Sequence, residues 1–155
     1  MLKQPKTKEQ GFTIIEVLIV LAIAGLIMLI VFLAVPALQR NSRNTQRRSD
    51  ASHLSGLINE NVTNNNGTPP TAFGSGAGKV DLTSENFAIM AKPSTITAQG
   101  AGTTWTAPGS PATDTAYVYS NVLCNNNNPQ TGGGSRSIVV VFYIEPGTIL
   151  QCVGN

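Results

Sequence analysis

The apolar positions divide the chain into parts of different character. Residues 1–11 are short and polar, with Lys3, Lys6, Lys8 and Glu9. From Phe12 to Val35 the chain is almost wholly apolar and carries a single charge, Glu16. At 1.5 Å per residue that run predicts roughly 36 Å of helix, enough to cross a hydrocarbon core about 30 Å thick. No polar face recurs at a 3.6-residue period, so it does not read as a core helix of a soluble domain. It is also longer than the ~7–15 apolar residues of an ordinary secretory signal, and no small-residue cleavage site closes it before Pro36.

Between 39 and 62 the pattern becomes amphipathic. Ala51, Leu54, Leu57, Ile58 and Val62 recur at three- and four-residue steps, which predicts a helix continuing from the apolar run with one face on a core. Arg43, Asn44, Arg48 and Ser52 are expected on its wet side. Asn64-Asn65-Asn66-Gly67 followed by Pro69-Pro70 stops the helix. Residues 63–115 are rich in Gly, Pro, Ser and Thr. Within them a short helix is expected at 84–92, capped by Thr83 or Ser84 with Phe87 and Met90 turned inward. A short strand is expected at 103–107, with Trp105 as a core plug. The last third is rich in β-branched and aromatic residues and reads as sheet. Strands are predicted at 116–124, 138–144 and 148–153, with a long loop at 125–134 and a tight connection at Glu145-Pro146-Gly147. One helix against a small antiparallel sheet is an α+β plan.

Composition narrows the function. Charged residues are 12%, about half the ~25% of an ordinary soluble domain. That excludes a coiled coil and a charge-rich disordered chain. One His and two Cys exclude a four-ligand zinc module. His53 has no Cys or acidic residue at ligand spacing and reads as a surface or packing residue. No nucleophile–base pair, metal cluster or convergent carboxylate pair marks an enzyme, and no cofactor is implied. The glycine cluster at 74–78 lacks the Lys and the strand–helix setting of a phosphate loop, and reads as linker. Asn61-Val62-Thr63 and Asn66-Gly67-Thr68 match a glycosylation triplet that also arises often by chance.

Glu16 stands out because an ionisable group within an apolar span is expensive and is a functional candidate by default. The string Lys8-Glu9-Gln10-Gly11-Phe12-Thr13-Ile14-Ile15-Glu16-Val17-Leu18-Ile19-Val20-Leu21-Ala22-Ile23-Ala24-Gly25 resembles the start of the type IV pilin (prepilin) family, with the related pseudopilins of type II secretion. The resemblance implies a leader, 1–11, held in the cytoplasm and cut after Gly11 by a prepilin peptidase. It implies N-methylation of the new terminus, Phe12, and a role for Glu16 in subunit docking. It further implies a transmembrane and filament-core helix at 12–38, an amphipathic helix at 39–62 and a globular head at 63–155. Many family members place a proline eight residues after the glycine matching Gly25. Here that position is Leu33, and the proline is Pro36, so helix flexibility between Gly25 and Pro36 is expected at a shifted spacing.

In this reading Glu16 answers the Phe12 ammonium of a neighbouring subunit. The contact is head-to-tail, does not close, and so builds a helical homopolymer. Lys3, Lys6 and Lys8 precede the span and Arg40, Arg43, Arg47 and Arg48 follow it. Counting positive charges alone favours the opposite orientation; the leader motif decides for a cytoplasmic leader, with the arginines at headgroup level before assembly. Loss of the leader would reduce ten basic and eight acidic residues to seven of each. The basic stem and slightly acidic head suggest complementarity between subunits, in competition with a merely solvated face. Both cysteines, Cys124 and Cys152, would then lie in an oxidising compartment, where a disulfide is expected. It would contribute roughly 3–4 kcal/mol by chain entropy. In a simple meander, however, the first and third strands are about 9.5 Å apart, and a disulfide needs Cα atoms within ~7 Å. Either Cys124 lies beyond its strand's end or the strand order is not sequential.

The expected function is a structural filament subunit, a major pilin on the strength of Glu16 and the disulfide loop. It would sit in the inner membrane as precursor and on the cell surface once assembled, with a platform protein and an ATPase as further partners. The alternative is a minor pilin or a competence or secretion pseudopilin that binds DNA or a surface at the tip. Binding of nucleic acid through the arginine cluster is the weaker reading, since packing would cover much of the stem.

Overall fold

The computed structural model describes residues 11–99, 104–109, 112, 114–146 and 149–154. The described residues fall into two compact units, divided between Gln39 and Arg40.

One helix, α1 (Ile14–Asn64), runs unbroken through Pro36. In the first unit its side chains are exposed throughout, from Ile14 at 82% to Leu38 at 70%. Mean hydropathy peaks at 3.3, so the helix is long and apolar enough to cross a membrane. Its C-terminus is closed as the asparagine run predicts. The Gly67 N–H donates to Val62 O at 2.8 Å, with Asn66 and Gly67 both at positive φ, the left-handed stop that glycine and asparagine tolerate best.

In the second unit α1 packs against small, mostly antiparallel sheets, an α+β arrangement. The strands are β1 (Ala72–Phe73), β2 (Lys79–Val80), β3 (Ile96–Ala98), β4 (Tyr117–Ser120), β5 (Val122–Asn125), β6 (Asn128–Thr131), β7 (Ile138–Ile144) and β8 (Ile149–Gly154). The main sheet has the order β3-β4-β7-β8. β4, β7 and β8 form an antiparallel meander, whereas β3 joins β4 in parallel. Every residue of β7 is buried, which explains its continuous apolar run: a central strand covered on both faces needs no polar alternation. Ile138, Val140, Phe142 and Ile144 meet Ala51, Leu54 and Ile58 of α1. Val139 and Val141 join Tyr119, Val122 and Cys152 in a second cluster on the other face.

The structure corrects several sequence expectations. Residues 84–92 form no helix. Asp50, 6% exposed on α1, accepts the N–H groups of Ala88, Ile89 and Met90 at 2.9, 2.9 and 3.0 Å. A helix would have used those donors internally; here a carboxylate from another element takes them. Met90 is nevertheless buried and Phe87 packs on the core. No strand forms at 104–107, and residue 103 lies outside the described residues. Trp105 packs edge-on against Tyr119 instead, with ring centroids 5.9 Å apart. The strand expected at 116–124 breaks at Asn121 (φ 64), and the supposed loop at 125–134 contains β6, paired in a hairpin with β5. Lastly, Arg43 and Asn44 are drawn inward and partly covered.

Candidate functional site

The N-terminal turn of α1 is organised around Glu16. Its Oε2 accepts the Thr13 backbone N–H at 2.9 Å and the Thr13 hydroxyl at 2.7 Å, while the Glu16 N–H donates to Thr13 Oγ1 at 3.3 Å. This is a reciprocal capping box. It satisfies donors that the first helical turn leaves free and fixes the carboxylate on the helix end. Phe12, Val17, Val20 and Leu21 line a shallow apolar hollow around it. Sequence reasoning singled out Glu16 and missed Thr13, although the Thr-x-x-Glu spacing before an apolar run was there to read.

Gly11 and Phe12 precede the helix and are exposed. Gly25 and Pro36 both lie inside α1. A Cβ added to Gly25 would meet nothing within 4 Å, so no contact inside the single chain demands glycine there.

The arginines after the apolar segment have work within the second unit. The guanidinium of Arg47, 1% exposed, donates through Nη2 to Asp114 Oδ1 at 2.8 Å and to Glu145 Oε1 at 2.9 Å. Arg43 grips the same Glu145 through Nε at 3.3 Å and Nη2 at 2.7 Å. Asn44 completes the cluster: its amide donates to the Glu145 carbonyl at 2.5 Å, and its Oδ1 accepts the Glu145 N–H at 2.9 Å. Hydrogen bonds from Arg43 and Arg47 hold the Glu145 carboxyl down at about 2. Arg43 and Arg47 therefore tie α1 to the end of β7. His53 stands 3.2 Å from Glu85 and leans on Phe87, a packing residue.

Cys124 and Cys152 are joined by a disulfide with Cα atoms 5.8 Å apart. Cys124 lies on β5, past the break at Asn121, so the sheet keeps its meander order and the first of the two geometric alternatives holds. Among the described residues no group of His, Cys, Asp or Glu could hold a metal ion.

Residues 6–32 match the family model of the prokaryotic N-terminal methylation motif. That motif supports a type IV pilin-like or pseudopilin character for the chain. It is a structural and processing motif rather than an enzyme family, and a leader of this kind implies cleavage by a prepilin peptidase and assembly with pilus machinery. Together with the apolar helix it fits a membrane-anchored precursor. No curated protein and no solved structure matched the chain.

Proposed function

We propose that this chain is the structural subunit of a type IV pilus, of the major kind, polymerised through its N-terminal helix. A peptidase cuts after Gly11, Phe12 becomes the methylated terminus, and Glu16 receives the Phe12 ammonium of a neighbour. The observation that carries this reading is the first unit of the structure: an apolar helix exposed along its whole length, with one carboxylate at the end where the new terminus would arise. Thr13 uses Oε2 of that carboxylate, and Oε1 is the atom a neighbour's ammonium would meet. Gly25 and Pro36 supply the local weakness that lets the packed helix adjust. The subunit waits in the inner membrane, and a platform protein with an ATPase delivers it to a filament at the cell surface.

The test is mass spectrometry of sheared surface filaments. The expected dominant subunit begins at Phe12 with one added methyl group and carries the Cys124–Cys152 link. An intact Met1 terminus, a cut near Ala34, or absence of the chain from filaments overturns the proposal.

A further inference from the structure

The main sheet has two edges, β3 and β8. An edge strand presents unpaired N–H and C=O groups that invite another strand. Proteins commonly blunt such edges with charge or proline. β8 reads Ile-Leu-Gln-Cys-Val-Gly and has neither. Ile149 at its start is half exposed. The strand is therefore open to pairing unless something covers it.

The cover is the β5–β6 hairpin. The Cys152 N–H, which points away from β7, donates to Asn127 O at the hairpin tip at 3.0 Å. The Asn127 amide donates to Gln151 Oε1 at 3.0 Å. The disulfide ties Cys124 of the hairpin to Cys152 of the edge. Asn126 and Asn127 both hold positive φ, 48 and 63, the turn that matches hairpin twist, so the hairpin keeps its own shape. Its root is fixed elsewhere. Asn121 turns the chain out of β4, and Gly133 lies so close that a Cβ there would stand 2.6 Å from the Asn121 carbonyl carbon. Val122 is buried in the second cluster. The hairpin is thus a separately formed arm, packed at its base, whose tip is fastened to β8 by a covalent bond and two hydrogen bonds.

We propose that this hairpin is a disulfide-locked guard over the β8 edge, and that unlocking it opens the edge to the β8 strand of a second copy of this chain. A second copy fits because β8 is neutral, β-branched at Ile149 and Val153, and self-complementary in an antiparallel two-fold pairing, where no like charges oppose. The unlocking agent is a dithiol. One thiolate attacks a cysteine sulfur and breaks the S–S bond. The second thiol resolves the mixed disulfide. Cys124 and Cys152 take up two electrons and two protons, and the dithiol leaves as a disulfide.

The experiment compares the full chain in detergent micelles before and after dithiothreitol, by amide hydrogen exchange and by size. At a concentration where the chain is monomeric, reduction is expected to speed exchange at Cys152, whose N–H loses Asn127 O, by roughly tenfold or more, as a local opening does, while Val140 and Val141 in β7 keep their protection. At higher concentration dimers should appear on reduction, and Ile149→Lys, which puts on the strand a charge of the kind that blunts sheet edges, should suppress them in the reduced chain. Unchanged exchange at Cys152, loss of protection throughout β7, absence of dimers, or dimers that persist in Ile149→Lys would each overturn the proposal.

Discussion

The two units satisfy their polar groups in opposite ways. In the second unit, Asp50 and Arg47 are buried, and their partners come from the same chain, dozens of residues away. In the first unit, the only charge among the described residues is Glu16, and its hydrogen bonds come from Thr13, three residues away. The second unit carries two apolar clusters of its own. Among its described residues the first buries none of its large apolar side chains. A head with internal partners is a folding unit. A helix with none is a surface waiting for lipid or for other helices, because apolar area of that size is strongly driven out of water.

The largest expected effect comes from removing the charge in the first unit. Glu16→Val should leave membrane insertion intact or improved, since the helix becomes more apolar. Cleavage after Gly11 should survive, as the scissile residues are untouched. Filaments should vanish, and processed monomer should accumulate in the membrane. Glu16→Gln should be milder, because its amide still accepts a hydrogen bond. Electron microscopy of surface filaments beside N-terminal analysis of the membrane pool reads both effects. Filaments of normal number and length in the valine variant would erase the distinction drawn between the units, leaving Glu16 as a helix cap only.

The next effect belongs to the head. Asp50→Asn keeps the shape but sets an amide against three backbone N–H donors. The cost should be about 2–3 kcal/mol of head stability, in line with hydrogen bonds to a charged group, measured as a lower denaturation midpoint. Leader cleavage and insertion should not change. If Asp50→Asn instead blocked insertion, the units would not be separable as described.

A smaller effect is expected from acid. The Glu145 carboxyl is held at about 2 by Arg43 and Arg47, below its ordinary value near 4.5. A depressed folded-state value means that the stabilisation is fully present above the unfolded value and fades as pH falls through the folded one. Head stability should therefore decline from about pH 5 toward pH 2. Glu145→Gln should flatten that limb while lowering stability at neutral pH. Denaturant melts across that range check it, and an unchanged acid limb in the variant would reassign the pH dependence to other carboxylates.

The legibility of the two units differs for a physical reason. Periodicity and local motifs lie in the sequence itself, so the apolar run, the amphipathic Ala51–Leu54–Ile58 face and β7 could be read directly. Glu16 was legible because its cost in an apolar setting is evident from its neighbours. The errors fell where a distant group overrides local preference. Residues 84–92 look helical until Asp50 takes their N–H groups. Arg43 and Asn44 look wet until Glu145, about a hundred residues on, draws them in. The stretch 116–124 reads as one strand because nothing nearby announces that Asn121 will adopt a positive φ. Cys124 showed the gain from geometry: the disulfide length limit alone required it to leave its strand or the strand order to change.

The smallest expected effect is at Gly25, and it separates what the single chain needs from what assembly needs. Within the chain, an added Cβ meets nothing, and alanine favours a helix by up to about 1 kcal/mol over glycine. Gly25→Ala should thus insert normally and show equal or slightly higher helicity in detergent. If glycine were merely tolerated, filament yield would also be unchanged. If it supplies flexibility or close helix approach during packing, yield should fall a few-fold while processed monomer rises by the same amount. The decisive measurement is the ratio of sheared filament to membrane pool, compared with a control alanine at Ser52 on the exposed face of α1 in the second unit. A drop confined to Gly25→Ala assigns the glycine to assembly. Equal yields in both variants would remove Gly25 from the docking helix's functional residues and leave Glu16 with Thr13 as its only specified end.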